Sequence, residues 1–370
     1  MVQPTKWFLE PGFASRSIRV FGWTTLPELQ YLRACFARQL TGQGAAVELG
    51  CALGRSTIAM LEGLAENPAC AGAPLQVYDW MKFDWLLLEE YRRFAGAAAA
   101  GIVEGDDFEP IFRRNVEPWS DRVRLHVGDI ARASWDGGPI EILFVDIMKS
   151  WPATLGVLRT FYPHLVPGLS LVIHQDFKNP FLPHILLTAY RLREHFEPVV
   201  TVCGDGSSTV AFRCVRRIAP ETLERLESAG ICDLGSYSVA EIEAAVDYAL
   251  SVVHEDPEPE RHAILAAAET IWLDLLVRRV DAVHAVRRIP AWQVQLRERV
   301  SRLRPEAGDS AQDPWSSLEA ARDREREALS ALGEAREVLQ RIHDSRAFKL
   351  ASLGWRLRRA LGRSRPTPER

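Results

Sequence analysis

Short apolar runs recur through the first part of the chain, and the residues between them follow a different rhythm. Stretches 45–49, 75–78, 123–127, 140–145 and 169–173 are brief and rich in Val, Leu and Ile, as strands buried on both faces are. The intervening segments 86–100, 108–119, 152–164 and 182–195 place apolar residues at helical spacing, as does 24–40, which Thr25 caps. The first two strands stand about 30 residues apart, enough for a parallel βαβ crossover. Two further strands, 199–203 and 208–214, flank Gly204, Asp205 and Gly206, a hairpin signal. The expectation is an α/β fold: a mainly parallel sheet whose last strand runs antiparallel in a C-terminal hairpin.

From Ala219 onward the strand signal stops. Helices are expected at 220–228, 239–253 and 263–286, and 304–314 is a polar linker rich in Pro, Gly, Asp and Ser. Leu318, Ala321, Ala328, Leu332, Ala335, Leu339 and Ile342 then follow a 3-4 spacing broken by Glu325, which reads as a coiled-coil seam or a solvated single helix. The tail sets Phe348, Leu353, Trp355 and Leu357 among Arg356, Arg358, Arg359 and Arg363, a basic amphipathic pattern suited to an anionic surface. The expected organisation is an N-terminal arm and helix (1–40), the α/β domain (41–217), a helical appendage (218–303), the linker (304–314), the coiled coil (315–344) and the tail (345–370).

Composition narrows the classes. A chain of 370 residues with 47% hydrophobic and 25% charged residues is ordinarily globular, and a net charge of −4 gives no reason to expect nucleic acid. Cys35, Cys51, Cys70, Cys203, Cys214 and Cys232 form no C-x-x-C pair, so neither a zinc site nor a disulfide framework is expected. No apolar run approaches the roughly 20 residues that span a bilayer. A cytoplasmic protein is expected, peripheral at the inner face of the membrane if the tail binds lipid. The coiled coil would make it a homo-oligomer.

The chemistry concentrates where the strands end. After the first strand come Gly50, Cys51, Ala52, Leu53, Gly54, Arg55, Ser56 and Thr57, a tight turn that opens a helix. No Lys follows Gly54, which excludes a phosphate loop, and Ala52 holds the middle position of a dinucleotide fingerprint. Glu48, two residues before the first glycine, suits a ligand with a cationic amino group. Asp79, Asp129, Asp146 and Asp176 also fall at or just after strand ends, so five acids line one edge of the sheet, the edge at which such sheets bind ligands.

With these motifs the chain resembles the class I S-adenosylmethionine-dependent methyltransferases, which share the Rossmann-like strand sequence and reversed last hairpin. It is similar to the macrocin O-methyltransferase-like sugar and polyketide enzymes, which pair Glu-x-Gly-x-x-x-Gly-x-Ser, here Glu48 to Ser56, with Tyr78, Asp79 and Trp80. The resemblance covers roughly residues 40–215. It implies a cofactor site in which Gly50, Cys51, Gly54 and Ser56 hold the methionine part over Glu48. Asp79, with Trp80 beside it, would take the ribose hydroxyls, and Asp129 the adenine amino group.

Similar metal-using O-methyltransferases imply a further set: Asp146, Gln175 and Asp176 as oxygen ligands for Mg2+, which would lower the pKa of an acceptor hydroxyl. Lys149 stands where such enzymes carry a His, either as a base of lowered pKa or as the structural ion-pair partner of Asp146. His174 is a second candidate base, unless it packs at the strand end. The expected activity is O-methylation of a sugar hydroxyl in a surface polysaccharide or another small-molecule or glycan acceptor. The alternative is a non-catalytic scaffold of the same fold in a glycan-assembly complex; a nucleotide-sugar or NAD-dependent enzyme is disfavoured by Glu48 and Ala52.

Overall fold

The computed structural model of the chain describes residues 7–204, 206–254, 256, 261, 263–268 and 271. The linker, coiled coil and basic tail expected at 304–370, and most of the helix expected at 263–286, lie outside the described residues.

Strands β1 (Ala45–Leu49), β2 (Leu75–Asp79), β3 (Val123–Val127), β4 (Ile140–Val145), β5 (Leu171–His174), β6 (Phe196–Thr201) and β7 (Val210–Cys214) form one sheet. Their order is β3-β2-β1-β4-β5-β7-β6. All pairs through β5 are parallel, and β7 runs antiparallel to both β5 and β6. The order reverses between β1 and β4, which opens a crevice at their carboxyl ends. This is the mainly parallel sheet with a reversed hairpin that the strand spacing predicts, and it is Rossmann-like as the resemblance implies.

The two faces are filled according to strand periodicity. In β4 every residue is buried; Leu143 and Val145 join one apolar cluster, while Ile142 and Phe144 join the other. The second cluster takes in α1 (Leu26–Arg38), α2 (Arg55–Glu66) and α3 (Trp85–Ala95), with Phe112 and Val116 of α4 (Glu109–Val116). The first is closed by α5 (Trp151–Thr160), α6 (His184–Leu192), α7 (Pro220–Ser228) and α8 (Val239–Val252). Leu223, Ile242, Ala245, Val246 and Ala249 share that cluster with Ile185 and Leu186, so α7 and α8 belong to the same core as the sheet.

Several ends differ from the sequence expectation for identifiable reasons. Gly96, at φ 54°, closes α3 at Ala95, and Pro118 turns the chain after Val116 into a 3-10 segment, Glu117–Arg122. Strand β6 begins earlier than expected because Phe196 pairs with Cys214. Its Pro198 is tolerated because β6 is the edge strand. Among the described residues no helix is long and apolar enough to cross a membrane.

Candidate active site

The glycine turn after β1 uses left-handed backbone at three of five positions: Gly50 (φ 86°), Ala52 (φ 44°) and Gly54 (φ 95°). At Gly50 the close approach comes from within the protein. A Cβ there would lie 2.6 Å from the Asp146 carbonyl oxygen, so Gly50 lets the turn pass over the end of β4. Gly54 caps α2, whose free N–H groups open toward the crevice edge.

Asp79 binds this turn directly. Its Oδ2 accepts from the N–H groups of Cys51 (2.8 Å) and Ala52 (3.1 Å), and its Oδ1 from that of Met81 (2.9 Å). The carboxylate is therefore oriented before any ligand arrives, with acceptor capacity remaining on Oδ1. Trp80 is 57% exposed beside it. Asp129 is also exposed, at the start of a 3-10 turn, where its Oδ1 accepts from the Ala131 N–H (3.0 Å).

Glu48 lies fully buried beneath the turn. The Ser56 and Thr57 hydroxyls donate to its two oxygens at 2.6 and 2.7 Å, and burial pushes its carboxyl up to about 8. The expectation that Ser56 faces the cofactor is corrected here: its hydroxyl is spent on Glu48, tying α2 to β1.

Across the crevice, Asp146 follows β4 and Asp176 follows β5 by two residues. The Lys149 ammonium donates to Asp146 Oδ1 at 2.6 Å and also to Asp176 Oδ2. Asp176 Oδ1 also accepts from Asn179 Nδ2 (2.9 Å). The loop carrying Lys149 is fixed at both sides, since His184 Nε2 donates to the Met148 carbonyl (2.9 Å) and Ser150 caps α5.

Burial, reinforced by the second carboxylate, pushes Asp146 up to about 7 against the pull of Lys149. Asp176, bonded by Lys149 and Asn179, is held below the ordinary value despite its burial. The ammonium of Lys149 loses water where it sits between the carboxylates, which by itself would lower it, but the two carboxylates raise it. A lysine held cationic in this way does not accept a proton, which corrects its reading as a base of lowered pKa.

Two further expectations fail on orientation. His174 is 7% exposed, its Nε2 lies 3.0 Å from the Tyr162 hydroxyl, and burial pushes it down to about 4. It borders a cavity of about 20 Å³ with Tyr162, Phe196 and Phe212, which is room for a water and not for an acceptor. His174 is a core histidine rather than a base.

Gln175 points to the opposite face. Its Nε2 donates to Glu28 Oε2 (3.1 Å), and its Oε1 lies 3.0 Å from the Thr209 hydroxyl. The three residues expected to hold Mg2+ therefore do not fit that ion: one is turned away and the other two already share an ammonium. Among the described residues no group of three or more His, Cys, Asp or Glu is placed to hold a metal.

Glu28, three residues after the capping Thr25 and not singled out in the sequence, organises this side of the site. Buried at 1% exposure, it accepts from the N–H groups of Thr25, Ser208 and Thr209, the Thr209 hydroxyl and Gln175. It thereby ties α1 to the end of β5 and to the β6–β7 hairpin. Arg55 likewise reaches the carbonyls of Thr24 (2.9 Å) and Val20 (2.9 Å), strapping the N-terminal arm across the start of α2.

Residues 47–175, from β1 to the end of β5, match the family model described as a methyltransferase domain. The chain carries a methyltransferase domain. Solved structures similar to it include CalS11, a TDP-rhamnose 3'-O-methyltransferase of calicheamicin biosynthesis, at 16% identity over 51% of this chain and 81% of that one, with a TM-score of 0.35. A putative O-methyltransferase from Klebsiella pneumoniae is 18% identical over 54% of this chain and 85% of its own, with a TM-score of 0.36. An O-methyltransferase from Bacillus cereus in complex with SAH is 16% identical over 52% of this chain and 82% of its own, with a TM-score of 0.33. The comparison with curated proteins gives no match. The methyltransferase domain thus holds the glycine turn, Asp79, Asp129 and Asp146, with Gln175 its last matched residue and Asp176 just beyond.

Proposed function

We propose that the chain is an S-adenosylmethionine-dependent O-methyltransferase that acts on a sugar hydroxyl in a surface polysaccharide or other glycosylated precursor. The observation that carries this reading is the Asp79 carboxylate, at the end of β2, bound to the Cys51 and Ala52 N–H groups of the turn after β1 in a methyltransferase domain. The residues present fit the cofactor. A preoriented carboxylate with acceptor capacity suits a ribose diol, the glycine turn suits the methionine part, and exposed Trp80 and Asp129 suit the adenine end. When bound, S-adenosylmethionine supplies a methyl group on a sulfonium, ready for in-line displacement.

The chain's own groups then act on the acceptor. Asp146, held near neutrality, takes the hydroxyl proton as general base. With S-adenosylmethionine bound, the methyl would pass to the acceptor oxygen and the carbon–sulfur pair would stay on sulfur, so that Asp146 ends holding the proton of the new methyl ether's former hydroxyl. Lys149 stays cationic beside the developing charge, and the wall built on Glu28 fixes the far side of the crevice.

The sugar class rests on the Glu48-to-Ser56 and Tyr78-Asp79-Trp80 motifs. On sequence alone the proposal extends to self-association through 315–344 and to contact of 345–370 with anionic membrane at the cytoplasmic face. Calorimetric titration with S-adenosylmethionine, followed by transfer of labelled methyl to a panel of glycan precursors, tests the reading. A folded chain that binds no S-adenosylmethionine ends it, and transfer confined to amine acceptors replaces the O-methyl assignment.

A further inference from the structure

The position between Asp146 and Asp176 is filled by a part of the chain itself. The Lys149 ammonium contacts one oxygen of each carboxylate, and the lysine side chain remains half-exposed while Asp176 is nearly buried. Magnesium requires near-octahedral oxygen coordination, and it keeps that geometry by binding rigidly placed carboxylates and water. Here the second oxygen of Asp176 is taken by Asn179. The neighbouring Gln175 amide is committed to Glu28 and Thr209 on the other face.

The lysine is no loose surface chain that a metal displaces by swinging it aside. Its loop is pinned by the His184 bond to the Met148 carbonyl and by the Ser150 cap of α5, and the Lys149 N–H donates to the Ile147 carbonyl at 2.7 Å. A lysine ammonium has three N–H donors, and two have partners among the described residues.

We propose that the Lys149 ammonium is the resident cation of the acceptor site: it occupies the place between Asp146 and Asp176, keeps divalent metal out, and gives its remaining N–H to the acceptor oxygen. An ammonium at this point does part of what a metal does elsewhere. It orients the acceptor oxygen and offsets negative charge gathering on it, but as a hydrogen-bond donor with no open coordination sphere. Methyl transfer by this chain is then independent of divalent ions. The acceptor role rests on the methyltransferase reading above; the exclusion of metal does not.

The test is Mn2+ binding to the full chain, followed by electron paramagnetic resonance. The wild type is expected to bind no Mn2+ at this site. Lys149→Ala and Lys149→Met, the second preserving chain length and packing, should each bind one equivalent that the wild type does not, because two carboxylates are left without a counter-charge. Adding Asp146→Asn should remove the gain, and Lys149→Arg should keep the metal out.

The proposal is overturned if the wild type binds Mn2+ in a manner that Asp146→Asn abolishes. It is equally overturned if folded Lys149→Met gains no affinity. S-adenosylmethionine titration of the same samples separates the two readings, since its failure removes the methyltransferase activity while the Mn2+ result still reports on Lys149. With activity established, EDTA should leave turnover unchanged and Lys149→Met should lower kcat with S-adenosylmethionine affinity retained.

Discussion

Gly50 passes so close to Asp146 that a Cβ on the glycine would stand 2.6 Å from the Asp146 carbonyl oxygen. The first and fourth strands are thus joined at the crevice by a contact that only glycine permits. Gly50→Ala should destabilise the fold by roughly 2–4 kcal/mol, combining the left-handed backbone with overpacking against a backbone atom that cannot move aside. Chemical denaturation measures this. An unchanged midpoint would mean that the turn relaxes without cost, and the glycine would then be explained by the ligand instead.

Asp79→Ala should weaken S-adenosylmethionine binding at least about tenfold, since hydrogen bonds to a charged acceptor contribute roughly 1.5–3 kcal/mol each. Two of the donors it now serves belong to the turn, so the variant loosens the Cys51–Ala52 segment as well as removing the proposed ribose acceptor. Asp79→Asn, which keeps one acceptor oxygen, should lose less. Calorimetry that finds the alanine variant as tight as wild type would take Asp79 out of the site.

The pH dependence of turnover follows from the shared lysine. Asp146 acts as a base only when ionised, so kcat should rise as pH passes through about 7 and level off above it. The limb belongs to the Asp146–Asp176 pair as a coupled unit. Lys149, raised by the same carboxylates, should contribute no loss of charge at moderately alkaline pH. Asp146→Asn should abolish most turnover while leaving S-adenosylmethionine affinity nearly intact. A profile flat from pH 5.5 to about 8.5 would exclude a carboxylate base of this kind.

Glu48 should make the fold sensitive to alkali. Its carboxyl titrates at about 8 when folded and near 4.5 when free, so between those values the folded state holds a proton that the unfolded chain lacks. Stability from this group is fully present below about 4.5 and declines as pH rises through about 8, by up to roughly 1.4 kcal/mol per pH unit. Glu48→Gln, neutral at every pH, should flatten the decline. Thermal melts of the two proteins from pH 6 to about 9 that stay parallel would show that Glu48 is ionised throughout.

The buried pair Lys178–Asp256 gives a third measurement of stability. Both side chains are 1% exposed; Lys178 Nζ donates to Asp256 Oδ2 at 2.8 Å and to the Val202 carbonyl at 2.8 Å, while the Thr201 hydroxyl reaches Asp256 Oδ1. Asp256→Ala should cost about 3–5 kcal/mol, because it strands a charge inside the protein. Adding Lys178→Met should restore much of it. A double variant no more stable than the single one would show that the pair's surroundings, and not the orphaned charge, set the cost.

The strands and the acids at their ends were legible because burial on both faces writes itself as continuous apolar runs, and a run such as 140–145 admits little else. What each acid or amide touches was not. His174, Gln175 and Asp176 are consecutive, yet the first bonds Tyr162, the second Glu28 and the third Lys149. A shift of one position at a strand end changes the face, and the sequence does not say what waits there. Glu28 is 147 residues from Gln175 in the chain, so its part in the site belongs to tertiary packing. The Asp146–Lys149 pairing was readable as one alternative because it is local; the second carboxylate on the same ammonium was not.

Asp256 also bears on where this protein can be cut. The sheet is finished at Cys214, and a boundary drawn soon after it looks natural for grafting the domain elsewhere or comparing it with shorter chains. Such a fragment would contain every strand together with a lysine sealed in its interior and no counter-ion, because the partner arrives some forty residues later. During synthesis on the ribosome the same holds for a time: the segment beside Asp176 is completed only after the chain has passed position 256. The sheet and its C-terminal helices are therefore inherited as one piece, and a minimal version of the domain has to extend past Asp256.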